Sequence, residues 1–161
     1  MPHLDDLQLE TSRLILRPPR LEDLGPLSEM MRDGIAARYI GGVTPRAICW
    51  RQLMTMVGSW HSHGFGMFSV IEKASGRWIG RLGPWCPEGW PGTEIGWAIA
   101  RDRWGLGYAG EGAAVATTWA FDTLGWSDVI HSIAPDNLAS QRVAEKLGQF
   151  GGCRVSARVA A

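Results

Sequence analysis

Residues 103–112 read RWGLGYAGEG, and the fold turns on how that stretch is understood. Gly105, Gly107 and Gly110 spell G-x-G-x-x-G, the spacing of a dinucleotide-binding turn. In a dinucleotide fold an apolar strand runs straight into the first glycine, and the motif tends to open the domain. Here about a hundred residues come first, and the polar run Arg101-Asp102-Arg103-Trp104 separates the strand-like EIGWAIA from Gly105. Asp128 lies at a suitable distance downstream but precedes its strand, whereas a ribose ligand sits at a strand's end. In a chain with 21 glycines the bare pattern is weak.

The physics under the motif is sounder. A short glycine-rich loop feeding a helix lets the N–H groups of Leu106, Gly107, Tyr108 and Ala109 converge, and the helix dipole adds positive charge there. That suits an anion, most naturally a pyrophosphate, without a lysine. A tight glycine turn with no ligand is the alternative, and the loop alone leaves both open.

Composition narrows the classes. The chain has 161 residues, enough for one domain with a real core. Sixteen basic and sixteen acidic residues cancel, so the basic excess of a nucleic-acid binder is missing. The opening MPHLDDLQLE lacks the positive, then apolar, pattern of a signal peptide, and no apolar run is long enough to span a membrane. Cys49, Cys86 and Cys153 form no C-x-x-C and no evident disulfide frame. The expectation is a cytoplasmic protein with reduced thiols. The nine tryptophans read chiefly as core packing.

Along the chain, LQLETSRLILRPP alternates apolar and polar residues as a strand closed by Pro18-Pro19. RLEDLGPLSEMMRD has near-helical spacing, and Thr44-Pro45 predicts a helix with Thr44 as N-cap, running to about Trp60. Met67–Glu72 and Trp78–Trp85 read as a hairpin turning at Ala74-Ser75-Gly76. TEIGWAIA is the fourth expected strand, and Gly107 to Leu124 a helix with the small stripe Ala113, Thr117, Ala120. SDVIHSIA is the fifth strand, with His131 packed in it. Asn137 caps a helix from Leu138 to Leu147, closed by Gly148. No repeat or linker divides the chain, which reads as one α/β domain over 1–161.

TEIGWAIARDRWGLGYAGEGA, followed by IAPDNLASQRVAEKLG, resembles the GNAT acetyltransferases, most closely the branch of ribosomal-protein-alanine N-acetyltransferases. Trp104-Gly105-Leu106-Gly107-Tyr108-Ala109 matches that superfamily's Q/R-x-x-G-x-G/A loop, with Trp in the first place. ETSRLILRPPRLEDL and GFGMFSVIEKASGRWIGRLG extend the likeness over nearly the whole chain.

The resemblance implies an α/β (α+β) fold: a mixed, mostly antiparallel sheet of about six strands, splayed between strands four and five, with about four helices on its two faces. It implies acetyl-CoA as co-substrate and no metal. The pantetheine arm would pair with the backbone of Trp97, Ala98 and Ile99. The phosphates would sit on the loop Trp104, Gly105, Leu106, Gly107, Tyr108, Ala109, Gly110, with Asn137 and Ser140 beside the arm. An amine acceptor, a protein N-terminus or a small molecule, would attack the thioester directly in a ternary complex.

That attack needs a neutral amine, and Glu94 is the candidate base; a substrate-orienting carboxylate or an exposed strand-end glutamate are the alternatives. The tyrosine that serves many relatives as thiolate acid is replaced here by Ala144. Ser140, one turn earlier, is the substitute, or else a first-turn serine that helps cap its helix. Trp85, Glu88 and Trp90 would border the acceptor, where aromatics and a carboxylate receive a cationic amine. His61 and His63 read as capping or surface residues rather than metal ligands.

Only thirteen residues follow Gly148, too few for the family's two closing strands. That leaves a sheet edge for a second subunit to cover, as a homodimer. Together with Ala144, it also motivates a rival reading, a CoA-binding sensor or interaction protein with little catalysis.

Overall fold

The computed structural model describes residues 4–148. Five strands form one antiparallel sheet in chain order: β1 Leu9–Glu10, β2 Leu14–Arg17, β3 Phe68–Glu72, β4 Trp78–Trp85 and β5 Glu94–Ile99. Four α-helices accompany it: α1 Leu24–Arg32, α2 Arg46–His63, α3 Tyr108–Leu124 and α4 Leu138–Gly148.

The first expected strand is two. The chain reverses at Thr11–Arg13, and β1 pairs with β2 through Leu9–Leu16 and Glu10–Ile15. Thr11 Oγ1 accepts the N–H groups of Arg13 and Leu14 at 3.3 and 2.9 Å. A side chain thus does the work of a backbone turn, which period-2 alternation does not reveal. Leu14 and Leu16 are fully buried, so alternation does give the correct face.

α2 also starts differently. Pro45, not Thr44, is the N-cap, and its carbonyl accepts the N–H groups of Ile48 and Cys49. The Thr44 hydroxyl instead donates to the Gly42 carbonyl at 2.8 Å. In α1, by contrast, Gly25-Pro26 falls in the first turn, where a missing N–H costs nothing.

The helices cover both faces. α1 and α2 bring Leu27, Met30, Met31, Cys49, Leu53 and Met56 onto the side of the sheet that carries Met67 and Ala98. α3 packs on the opposite side, where Leu14, Leu16, Phe68, Leu82 and Ala116 form the core. Gly112 makes this approach possible: a Cβ there would stand 2.5 Å from Leu82 Cδ2. Ile95, Ala113, Ala120, Val129 and Leu147 join α3 to α4.

Among the described residues the sheet has five strands, against the expected six. Among the described residues the fifth expected strand meets β5 through one parallel bridge, Glu94 with Ile130, while Val129 and Ile133 are also in bridge geometry. The expected final strand in QFGGCRVSARVAA lies outside the described residues.

Candidate active site

The bridge fails for a reason that creates the site. Ile130 N–H donates to the Thr93 carbonyl at 2.8 Å and Ile95 N–H to the Ile130 carbonyl at 3.2 Å. One residue further, side chains take over the backbone groups. The Ile95 carbonyl meets His131 Nδ1 at 2.8 Å, and Ser132 N–H donates to Glu94 Oε1 at 3.0 Å. The two backbones part there, and a cavity of about 350 Å³ opens between β5 and residues 131–134.

Of the residues singled out from the sequence, Glu94, Trp97, Ala98, Asn137, Ser140, Trp85 and Trp90 line this one cavity. Glu88 is exposed on the preceding loop and is not among its lining residues. Ile99 also lies outside it, and its carbonyl accepts the Trp104 indole N–H at 2.7 Å.

Glu94 is buried rather than an exposed strand end. Its Oε2 accepts the Trp90 indole N–H at 2.7 Å, and its Oε1 takes Ser132. On the α4 side, Asn137 Oδ1 accepts Ser140 N–H at 3.2 Å, so Asn137 caps the helix and faces the cavity at once. The Ser140 hydroxyl does not cap; its Oγ accepts the Trp97 indole N–H at 3.2 Å. Ala144 is fully buried.

The glycine loop lies after β5. Gly105 and Gly107 have φ of +74° and +82°, which L side chains rarely adopt. Gly107 caps α3 in the left-handed conformation, and Glu111 N–H is bonded back to its carbonyl. The N–H groups of Tyr108, Ala109 and Gly110 therefore belong to the first turn, where a helix leaves its donors unpaired.

Two networks hold this turn in place. Glu111 accepts from Thr11 Oγ1 at 2.6 Å and pairs with Arg13 Nη2 at 2.6 Å, while the Arg13 guanidinium lies 4.4 Å over the Tyr108 ring. The Tyr108 hydroxyl donates to Glu72 Oε2 at 2.6 Å, and Arg103 Nε pairs with the same oxygen at 3.1 Å. The exposed loop, its free N–H groups and the adjoining gap suit a pyrophosphate with an extended arm.

Among the lining residues that escaped the sequence reading as site residues, two carry basic side chains, Arg81 and His131. Arg81 sits in an otherwise apolar strand, and its charge among Ile79, Leu82 and Pro84 was the available signal. His131 was expected to be packed, and it is 1% exposed. Its Nδ1 contact with a carbonyl makes Nδ1 the protonated nitrogen, and burial holds its pKa below the usual histidine value. Among the described residues, no group of three His, Cys, Asp or Glu side chains is placed to hold a metal.

The model of the acetyltransferase (GNAT) domain matches residues 13–149, and the chain belongs to that family. It is 28% identical over 143 residues to the uncharacterized N-acetyltransferase p20 of Bacillus licheniformis, covering 86% of this chain and 80% of that protein. A shorter match, to the uncharacterized protein YkkB of Bacillus subtilis, is 35% identical over 88 residues and spans 51% of that relative. An acetyltransferase structure from Agrobacterium tumefaciens superposes with a TM-score of 0.82 at 30% identity, covering 88% of this chain and 82% of that one. The fold is shared with RimL, a ribosomal L7/L12 α-N-protein acetyltransferase solved with coenzyme A, at a TM-score of 0.75 and 16% identity, over 88% and 83% of the chains. The chain is thus an acyl-CoA-dependent N-acyltransferase. No helix among the described residues is long and apolar enough to cross a membrane.

Proposed function

We propose that this chain, as a single domain over residues 1–161, transfers the acetyl group of acetyl-CoA to a primary amine by direct attack in a ternary complex. The acceptor is a protein N-terminal α-amine or a small-molecule amine. The observation that carries the reading is Glu94: a buried carboxylate held by two donors where β5 and residues 131–134 diverge. A base that faces both the gap and the tryptophans beside it is placed for an incoming amine.

Acetyl-CoA supplies an activated acyl group and a thiolate leaving group. The turn from Trp104 to Gly110 holds its phosphates through backbone N–H groups, and the β5 edge at Trp97 and Ala98 receives the arm, with Asn137 across the gap. Glu94 takes the proton of the attacking ammonium, directly or through water. An α-amine, with a reference pKa of about 7.7–8.0, asks less of that base than a lysine at about 10.4. A β5 N–H near the gap stabilises the charge that develops on the acyl oxygen. Ser140 accepts the Trp97 N–H, so its own O–H remains to donate to the departing thiolate. Ala144 has no proton to offer.

Titration calorimetry with acetyl-CoA, with NADH as the control, tests the cofactor half of the proposal. Thiol release across a panel of peptides and small amines tests transfer. Acetyl-CoA binding with no amine-dependent release refutes transfer and leaves the rival reading of a CoA-binding sensor. Binding of NADH instead refutes both.

A further inference from the structure

Opposite Glu94 the same cavity carries a cation. The β4–β5 register pairs Arg81 with Ala98 and Trp85 with Glu94, and Gly83 with Gly96 between them. Positions two apart share a face, so Arg81 and Glu94 look into the same space. Glu94 and Ala98 are four positions apart at about 3.3 Å each, roughly 13 Å of backbone, which the long arginine side chain partly spans. Gly96 adds no side chain to that interval.

Arg81 is poorly satisfied. Its Nη1 donates to Met67 Sδ at 2.9 Å, and a thioether is a weak acceptor. Its Nε is buried with no hydrogen-bond partner among the described residues. The other cavity-side charge, Glu94, acts on it through space. The residue is half-buried, and apart from the distant charge of Glu94 its bonded partner is only a thioether, so it keeps donors for a further anion. In a site for a substrate, the anion that takes those donors belongs to the substrate.

We propose that Arg81 anchors a carboxylate of the acceptor, so that the acceptor is a small amino acid: its amine faces Glu94 and its carboxylate faces Arg81. The cavity, at about 350 Å³, is at the small end of the ~300–1,000 Å³ typical of small-molecule sites. This inference rests on the acetyl-transfer reading above and narrows its acceptor.

Matched pairs test it: L-methionine and L-methioninamide, L-phenylalanine and L-phenylalaninamide, and β-alanine and β-alaninamide, each with acetyl-CoA, followed by thiol release. The α-amides carry the less basic amines, so they are the better nucleophiles at neutral pH unless the carboxylate is recognised. The wild-type protein should favour at least one acid over its amide by roughly tenfold or more in kcat/KM. In Arg81→Gln that acid-to-amide ratio should fall by about thirtyfold or more, with Arg81→Lys in between, in line with removing one partner of a buried charge pair. Amides used as well as acids by the wild type overturn the inference, and this comparison needs no variant to fold. An unchanged ratio in a folded Arg81→Gln overturns it too, since a purely structural arginine lowers both substrates together. Acetylation confined to amines without a carboxylate overturns it while leaving the acetyl-transfer reading intact. Absence of acetyl-CoA binding overturns both.

Discussion

The Trp90 indole donates to Glu94 Oε2 at 2.7 Å, and this bond ties the loop before β5 to the carboxylate at the point where the sheet splits. The second oxygen holds Ser132 across the split at 3.0 Å. Glu94 is therefore both a rung of the parallel pairing and a carboxylate fixed in the gap.

Glu94→Gln keeps the size and removes the basicity, and because its NH2 cannot accept, it also gives up one of the two hydrogen bonds from Trp90 and Ser132. General-base catalysis contributes about 10²–10⁴-fold, so kcat for a protonated amine should fall within that range. Acetyl-CoA affinity by calorimetry should stay within about threefold, because the proposed phosphate loop lies elsewhere. A kcat within threefold of wild type would show that Glu94 is not the base.

Gly107 carries the left-handed cap of α3, with φ of +82°. An L-residue there costs about 1–2 kcal/mol in backbone strain, and its Cβ would lie 3.5 Å from Arg13 Nη2. Gly107→Glu also puts a negative charge at the proposed phosphate position. Acetyl-CoA affinity should drop at least tenfold in Gly107→Glu and less in Gly107→Ala. Unchanged affinity in both would remove the loop from the cofactor site.

The two glycines early in α3 should respond with opposite signs. A Cβ at Gly110 meets nothing within 4 Å, whereas one at Gly112 meets Leu82 Cδ2 at 2.5 Å. Gly110→Ala gains helix propensity, up to about 1 kcal/mol. Gly112→Ala gains the same but overpacks the α3–β4 contact, which costs about 1–3 kcal/mol. Thermal melts should place Gly110→Ala above wild type and Gly112→Ala below it. Leu82→Val should recover part of the Gly112→Ala loss.

That contrast also marks where sequence reading stops. Local signals located the glycine loop, the Asn137 cap, the β3–β4 hairpin and Glu94 at a strand start, because each depends on neighbours in the chain. The glycines at 110 and 112 look alike locally; only packing against β4 separates them. The Thr11 turn hides inside an unbroken alternation. Arg81 shares the cavity with Glu94 because of the β4–β5 register, which is not written in RLGPW itself. The fifth expected strand has strand composition, and what the sequence does not show is that its pairing with β5 gives way after Ile130 to the side chains of His131 and Glu94.

Glu72 gives a pH dependence of stability with a definite sign. Ser75 and Tyr108 hydroxyls donate to it at 2.6 Å each, and Arg103 lies at 3.1 Å; against the cost of burial they lower its pKa from 4.5 to about 2. A carboxylate whose folded pKa is depressed stabilises the fold above the unfolded value and loses that contribution as pH falls through the folded one. The window here is from about 4.5 down to about 2. Denaturant unfolding at stepped pH should show wild type losing stability across it. Glu72→Gln should be less stable than wild type at pH 7 and flatter through the window, the two curves converging near pH 2. Because Tyr108 begins α3 at the turn proposed to bind the phosphates, acetyl-CoA affinity at pH 7 should also weaken in Glu72→Gln. Parallel curves for the two proteins from pH 7 to pH 2 would show that the Ser75–Glu72–Tyr108–Arg103 network does not hold the carboxylate ionised.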